Sequence, residues 1–196
     1  MRITTNSGRL LLEREGELAG ADLSGLKLPS AYFKDSSLRA TNLSRSLLSS
    51  ADFSDADLSN ACLAGAVMEG IFCPDAYFDQ ADLRGADLNG AFGYRASFRG
   101  ADLSGANLRG VHFEEADFTG ANLEGVTLGG DPLNDLTDLR GADFRGANLQ
   151  GLSFERTRVE GATYDSRTCF PHGFDPNANG MICRDYDRKP VERESA

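Results

Sequence analysis

Residues able to do acid–base or nucleophilic chemistry are few in this chain of 196 residues, and their spacing matches no catalytic motif. The sequence has two histidines, His112 and His172, with no nucleophile–base set, phosphate-binding loop or zinc-protease motif around them. Aspartate and asparagine recur at a fixed interval, so their abundance reflects architecture rather than acid–base pairs. We therefore expect no enzymatic activity, no cofactor and no small-molecule substrate.

Two stretches near the C-terminus carry residue types that bind metals. Cys169, His172 and Cys183 offer three of the ligands that zinc prefers, although no fourth is evident. Residues 175–182 are similar to the first eight positions of an EF-hand calcium loop, but Tyr186 stands where a bidentate glutamate is expected. A metal-binding module in the tail is thus one alternative function, and we assign no residue as a metal ligand.

The four cysteines fall into two groups. Cys73 stands at an apolar position and is expected in the core, whereas Cys62 should face outward, so we expect no bond between them. Cys169 and Cys183 lie 14 residues apart in the tail and could pair in an oxidising compartment. The sequence leaves that pairing open.

The chain is acidic, with a net charge of −10 and a pI near 4.7. Direct nucleic-acid binding needs clustered Lys and Arg, so we expect none, and a basic protein surface is the better electrostatic partner. No apolar run approaches 18 residues, and residues 1–17 lack a proper signal-peptide core. We expect no membrane contact and a cytoplasmic location, although a removed targeting peptide is compatible with the sequence.

A five-residue repeat organises the chain. Residues 81–85 read Ala-Asp-Leu-Arg-Gly, and residues 86–90 read Ala-Asp-Leu-Asn-Gly. A large apolar centre recurs on every fifth residue from Leu18 to Leu133, then resumes one residue late from Leu139 to Tyr164. A period of five fits neither the 3.6 spacing of a helix nor the alternation of a strand. A chain that turns a corner every five residues would let every centre point inward, with Gly easing the corners.

The pattern Ala-Asp/Asn-Leu-Xaa-Xaa resembles that of the pentapeptide-repeat family over about residues 16–166. The resemblance implies an all-β fold: a right-handed, four-sided parallel β-helix in which each coil contains four five-residue repeats, here called fives. Thirty fives would make about seven to eight coils. Residues 1–15 are then expected to form an N-terminal cap, and residues 167–196 a capping tail in which Phe170 and Phe174 cover the core and the end is disordered.

Assigning the fives in turn to sides one to four predicts which residues fill the interior. The expected core includes Leu83, Leu88, Phe98, Leu103, Leu108, Phe113, Phe118 and Leu123. Side four would stack Phe33, Phe53, Cys73, Gly93, Phe113, Leu133 and Phe154, while Leu139 would fall on side one. The extra residue within 129–136 predicts a small outward loop, because Gly-Gly and Asp-Pro are loop signals.

Side four is irregular, because Phe72 and Phe92 stand one place early in their fives. The simpler expectation is a local backbone bulge that keeps both rings buried. The alternative leaves both rings exposed beside Tyr94 as a small aromatic patch, which is a mark of a contact site. The outward positions of this side also carry eight acidic residues against three basic ones.

These features make side four the candidate interaction surface, with Asp52, Asp55, Phe72, Phe92, Tyr94, Glu114, Glu115, Asp131 and Asp135 as its residues. The expected function is a non-catalytic interaction or scaffold solenoid with an acidic surface and an unidentified protein partner. The resemblance also implies an alternative, since some family members imitate DNA and bind type II topoisomerases such as gyrase. Those members pair through a C-terminal dimer module, and this tail shows no amphipathic helix suited to it.

Overall fold

Parallel backbone bridges between residues twenty apart define the fold. The computed structural model describes residues 2–13, 16–130 and 136–185, and within them Asn42 bridges Cys62 in a ladder that continues along the rod. Because the sequence repeats every five residues and the bridges every twenty, each coil holds four fives. This confirms the predicted all-β solenoid. Among the described residues, no helix is long and apolar enough to span a membrane.

Most rungs consist of single bridges, so few segments count as extended strands. They are β1 (Arg2–Thr4), β2 (Leu10–Glu13), β3 (Thr137–Asp138), β4 (Thr157–Arg158), β5 (Thr163–Tyr164) and β6 (Ile182–Cys183). The first two pair antiparallel, whereas β3 with β4 and β5 with β6 pair in parallel.

The corners explain why Asp or Asn so often precedes the apolar centre. A carboxylate oxygen of Asp117 accepts the backbone N–H of Thr119 at 2.8 Å, and Asp52 accepts that of Ser54 at 2.9 Å. This local turn competes with continued extension and bends the chain. Two residues after each of many centres the backbone is left-handed, as at Gly85 with φ 62°. Glycine adopts that conformation without steric cost.

The repeat centres form the core. All eight residues expected there have at most 1% of their surface exposed. Phenylalanines stack along the rod inside it, with Phe98 4.9 Å from Phe78 and 5.0 Å from Phe118, and Phe118 5.4 Å from Phe144. The small residue two places before most centres is buried as well, as at Ala86 and other alanines, because the turn carries it against the neighbouring coil.

The predicted register beyond residue 130 is wrong. His112 bridges Asp138, so Leu139 follows Phe113 on side four after 26 residues rather than 20. The insertion therefore adds six residues, not one, and Leu139, not Leu133, is the next side-four centre. Every later centre moves accordingly; Phe144, for example, stacks on the side-one ring of Phe118.

Thr137 fixes this register because it takes the small-residue position of the side-four five. Its buried hydroxyl lies 2.7 Å from the carbonyl oxygen of Gly129, to which it donates, and accepts the backbone N–H of Gly110 at 3.1 Å. The side chain thereby joins the two ends of the insertion to the preceding coil.

Both ends of the rod carry additional segments. The β1–β2 hairpin lies against the first coil, where Tyr32 donates its N–H to the carbonyl oxygen of Thr4. Ile3 is the buried residue of this hairpin, whereas Leu10 is exposed. At the other end, Phe174 stacks on Phe154 with ring centroids 4.3 Å apart. That the two end segments cap the rod stays a prediction, and the expected disordered end lies outside the described residues.

Candidate interaction site: an aromatic groove on side four

An outward ladder of side chains runs along side four, one place before each centre. Asp52, Phe72, Phe92, His112 and Asp138 follow one another through parallel bridges. Phe72 is 51% exposed and Phe92 is 48% exposed. The expected backbone bulge is therefore wrong, and the alternative of an exposed aromatic patch describes the structure.

The interior explains why the Phe92 ring stays outside. The inward positions at these two rungs belong to Cys73 and Gly93, and both lie in a column that continues with Phe113. A Cβ on Gly93 would stand 2.8 Å from Cε1 of Phe113 and 2.9 Å from Sγ of Cys73. The phenylalanine ring fills the space above the glycine, so no room is left inside for Phe92. Burial also raises the pKa of the Cys73 thiol far above its ordinary value, which keeps it protonated.

The exposed rings line an open groove of about 380 Å³. Its walls are Phe72, Pro74, Phe92, Tyr94, His112 and Glu114. The rings of Phe92 and His112 stack almost parallel, with centroids 4.9 Å apart and planes inclined by 2°. Of these residues, Pro74 and His112 were missed by the sequence analysis. Their spacing was the available signal, since Pro74 shares the rung of Phe72 and His112 lies on the rung after Phe92, both at outward side-four positions.

Tyr94 is held in place at the groove wall by charged neighbours. Its hydroxyl donates to Glu115 at 2.9 Å, and this hydrogen bond raises the pKa of Tyr94 above its ordinary value. The Arg95 guanidinium lies over the tyrosine ring, 4.9 Å from the centroid, and pairs through two hydrogen bonds with Asp75. Those hydrogen bonds lower the pKa of Asp75. The Arg95 guanidinium is thus already paired with a carboxylate of its own chain.

Two wall residues, His112 and Glu114, form a cluster with Asp138, in which ligand atoms of the three side chains lie within 4.8 Å of one another. Burial alone would raise the pKa of Asp138, but hydrogen bonds from Arg140, at 2.7–3.0 Å, outweigh it and lower the pKa. Arg158 adds a second guanidinium at 3.3 Å. Both guanidiniums hydrogen-bond to Asp138, so we interpret this cluster as an ion-pair network. The sequence analysis missed it because Asp138 reaches side four only in the corrected register.

The remaining candidate residues lie apart from the groove or outside the described chain. Asp52 stands on the rung before Phe72, and Asp55 forms a long ion pair with Lys34 at 3.9 Å. Asp131 and Asp135 lie outside the described residues. The corrected register leaves side four with eight acidic and four basic outward residues. The acidic ones are Asp35, Asp52, Asp55, Asp75, Glu114, Glu115, Asp138 and Glu160, and the basic ones are Lys34, Arg95, Arg140 and Arg158.

The C-terminal tail does not bring its candidate ligands together. In the described ranges, the group around His112 is the one set of three His, Cys, Asp or Glu side chains that converges, so the zinc arrangement of Cys169, His172 and Cys183 is not formed. Both cysteines are free thiols. Asp175 instead accepts the backbone N–H groups of residues 177 and 178 and closes a turn. The Asp-Pro-Asn run therefore has a structural explanation.

Comparison with known proteins gives a consistent result. The sequence model described as pentapeptide repeats matches eight copies, in segments that lie within residues 17–130 and 137–163. No protein of curated function matches the chain significantly.

Two solved structures illustrate the likeness. HetL, a pentapeptide repeat protein involved in heterocyst differentiation regulation from the cyanobacterium Nostoc sp. strain PCC 7120, is 27% identical with a TM-score of 0.52. The match covers 84% of this chain and 77% of HetL. QnrB1, a plasmid-mediated fluoroquinolone resistance protein, is 17% identical with a TM-score of 0.45, and the match covers 86% of this chain and 90% of QnrB1.

Proposed function

The chain belongs to the pentapeptide-repeat family, and we propose that it is a non-catalytic interaction protein that binds a partner protein through the side-four groove. The rod supplies a rigid support, and the groove supplies the recognition surface. In this proposal the acidic residues around the groove orient the partner, while the aromatic rings provide most of the buried apolar area on binding.

One observation carries the proposal: Phe72 and Phe92 are each about half exposed on adjacent rungs of an otherwise well-packed rod. Leaving apolar rings in water costs free energy, and contiguous exposed apolar surface marks binding sites. The packing of Phe113 over Gly93 holds the second ring outside. Aromatic residues are also the type most enriched among those that dominate binding energy at interfaces.

The likeness to HetL supports a regulatory or scaffolding role, because that protein is involved in regulating cell differentiation. The alternative of a DNA-mimicking rod is less well supported by this surface. Such a rod needs carboxylates at successive rungs, whereas after Asp52 the ladder continues with two phenylalanines and a histidine.

The proposal can be tested by affinity capture from the lysate of the native organism. Three baits are needed: the wild type, the groove variant Phe72→Ser/Phe92→Ser, and the control variant Leu47→Ser/Tyr77→Ser. The control residues occupy the same outward position on other sides of the rod, and Tyr77 is 52% exposed. Circular dichroism and melting curves should first show that all three are equally folded.

We expect at least one protein to be retained by the wild type and the control and lost from the groove variant. Quantitative mass spectrometry of the three eluates measures this. If all three baits retain the same proteins in the same amounts, side four is an ordinary solvated face and the proposal fails.

A further inference from the structure

The chemistry of the groove restricts what can occupy it. We propose that its ligand is a segment of the partner protein that presents an arginine next to an apolar side chain, an inference that rests on the proposed function. The guanidinium would lie against the phenylalanine rings and pair with Glu114, while the apolar neighbour would cover the remaining ring surface.

The first step concerns the ring faces. One face of Phe92 is covered by the parallel imidazole of His112, 4.9 Å away. The opposite face is turned along the ladder toward the rung of Phe72, and about half of each phenylalanine stays in contact with water. The face of an aromatic ring carries negative charge density and attracts cations, and guanidinium groups stack on it as flat plates.

The second step concerns the carboxylate in the wall. Glu114 lies 3.7 Å from Nδ1 of His112 and 3.9 Å from the Arg140 guanidinium, and both distances exceed that of a hydrogen bond. Arg140 directs its hydrogen bonds to Asp138 instead, at 2.7–3.0 Å. Glu114 therefore keeps acceptor capacity for a two-pronged pair with an incoming guanidinium.

The third step excludes the other classes of side chain. An acidic segment would meet Glu114 and Glu115 with like charge. A purely apolar segment would remove water from Glu114 without replacing its hydrogen bonds, which is costly. A lysine would satisfy the charge, but its compact ammonium cannot stack as a plate or form the two-pronged pair. Arginine is the one common side chain that can both stack on the rings and form a two-pronged ion pair with the carboxylate.

The basic groups around the groove are already paired with carboxylates of their own chain. Arg95 is tied to Asp75 by two hydrogen bonds and lies over Tyr94. Arg140, 3.9 Å from Glu114, directs its hydrogen bonds to Asp138. Across the outward positions of side four, carboxylates outnumber basic groups by eight to four. The field at the groove is therefore expected to favour a positively charged segment and to weaken with added salt.

The test uses a random peptide library displayed on phage as the probe. The library is selected on the wild type after depletion on the Phe72→Ser/Phe92→Ser variant. We expect the enriched peptides to carry arginine beside a leucine, isoleucine, valine or aromatic residue far more often than the unselected library does.

The strongest enriched peptide is then synthesised in two forms, one with arginine and one with citrulline, which keeps the shape but loses the charge. Isothermal titration should give about tenfold weaker binding for the citrulline form. A loss of about fivefold or more is expected for the arginine form on the Glu114→Gln variant, and no change on Tyr77→Ser.

The outcomes separate the two proposals. Groove-dependent peptides without arginine, with lysine in its place, or with no loss on citrulline substitution would overturn the arginine inference and leave the interaction function standing. A selection that yields no groove-dependent peptide would also overturn the inference, and the lysate capture alone would then decide the function.

Discussion

Phe113 occupies the space that a side chain on Gly93 would need, since a Cβ there would stand 2.8 Å from its Cε1 atom. Replacing Gly93 with Ala should therefore force the buried ring to move and lower the free energy of unfolding by about 1–3 kcal/mol. Denaturant unfolding measures the change. Adding Phe113→Leu should recover part of the loss, because the smaller side chain vacates the space. If the double variant loses as much unfolding free energy as the two single variants lose together, contact with Phe113 is not the reason that residue 93 must be glycine.

Several corners of the rod place residues other than glycine in the left-handed conformation, among them Ala40 with φ 53°. This conformation is strained for a side chain with a Cβ. We expect Ala40→Gly to raise the free energy of unfolding by about 0.5–1 kcal/mol, after the greater freedom of glycine in the unfolded chain is subtracted. Ala86→Gly is the matched control, because Ala86 is buried and should lose stability. Equal changes at both positions would contradict the assigned corners.

Asp138 should make the stability of the rod depend on pH. Its pKa in the folded protein is lower than its ordinary value of 3.8, so its contribution is complete above that value and is lost as the pH falls through the lowered pKa. At pH 7, Asp138→Asn should cost about 1–3 kcal/mol, because its hydrogen bonds to charged arginines are weakened. The difference from the wild type should shrink as the pH falls below the ordinary value of 3.8.

The control for this pH experiment is Asp55→Asn, because Asp55 is more exposed and lies 3.9 Å from Lys34. We expect it to cost less than about 0.5 kcal/mol at any pH. Urea unfolding at several pH values provides the comparison. A constant difference between Asp138→Asn and the wild type from neutral to acid pH would show that the carboxylate charge is not responsible.

The insertion before Thr137 should tolerate deletion only if six residues, no more and no fewer, are removed. Deleting residues 131–136 would join Gly130 directly to Thr137 and restore the twenty-residue step between side-four centres. We expect this variant to fold with a melting temperature within a few degrees of the wild type, because the coils keep their register. Deleting only residues 132–136 would leave the register one residue out of step and should cause a large loss of stability. Similar melting curves for the two deletions would contradict the register.

The sequence was sufficient to predict the solenoid, because a repeat held over so many fives fixes which side chains point inward. It was not sufficient to place the residues after the insertion. Leu133 continues the five-residue spacing in the sequence, yet Leu139 follows Phe113 in the structure, and spacing alone cannot tell a one-residue slip from a six-residue one. The register is set by hydrogen bonds of the Thr137 hydroxyl to the backbone of Gly129 and Gly110, which the spacing does not reveal.

The groove shows a similar division between local pattern and packing. Phe72 and Phe92 were recognised as irregular from their spacing, but whether Phe92 faced in or out depended on how Phe113 fills the space over Gly93. That contact joins rungs twenty residues apart, so it cannot be predicted from the five-residue repeat alone. Glu114 and Asp138 come together for the same reason, across the insertion.

The backbone hydrogen bonds of the rod run from coil to coil, as between the N–H of Leu63 and the carbonyl oxygen of Asp82 at 2.7 Å, so they lie along its long axis. A pulling force applied to the two ends would stretch these bonds lengthwise and load one coil at a time, as in opening a zipper. Each coil released would lengthen the molecule by roughly 60–65 Å, the extended length of twenty residues less the rise of one coil. The molecule is therefore expected to be mechanically soft along its axis, yielding in steps of a single coil, even where its thermal stability is high.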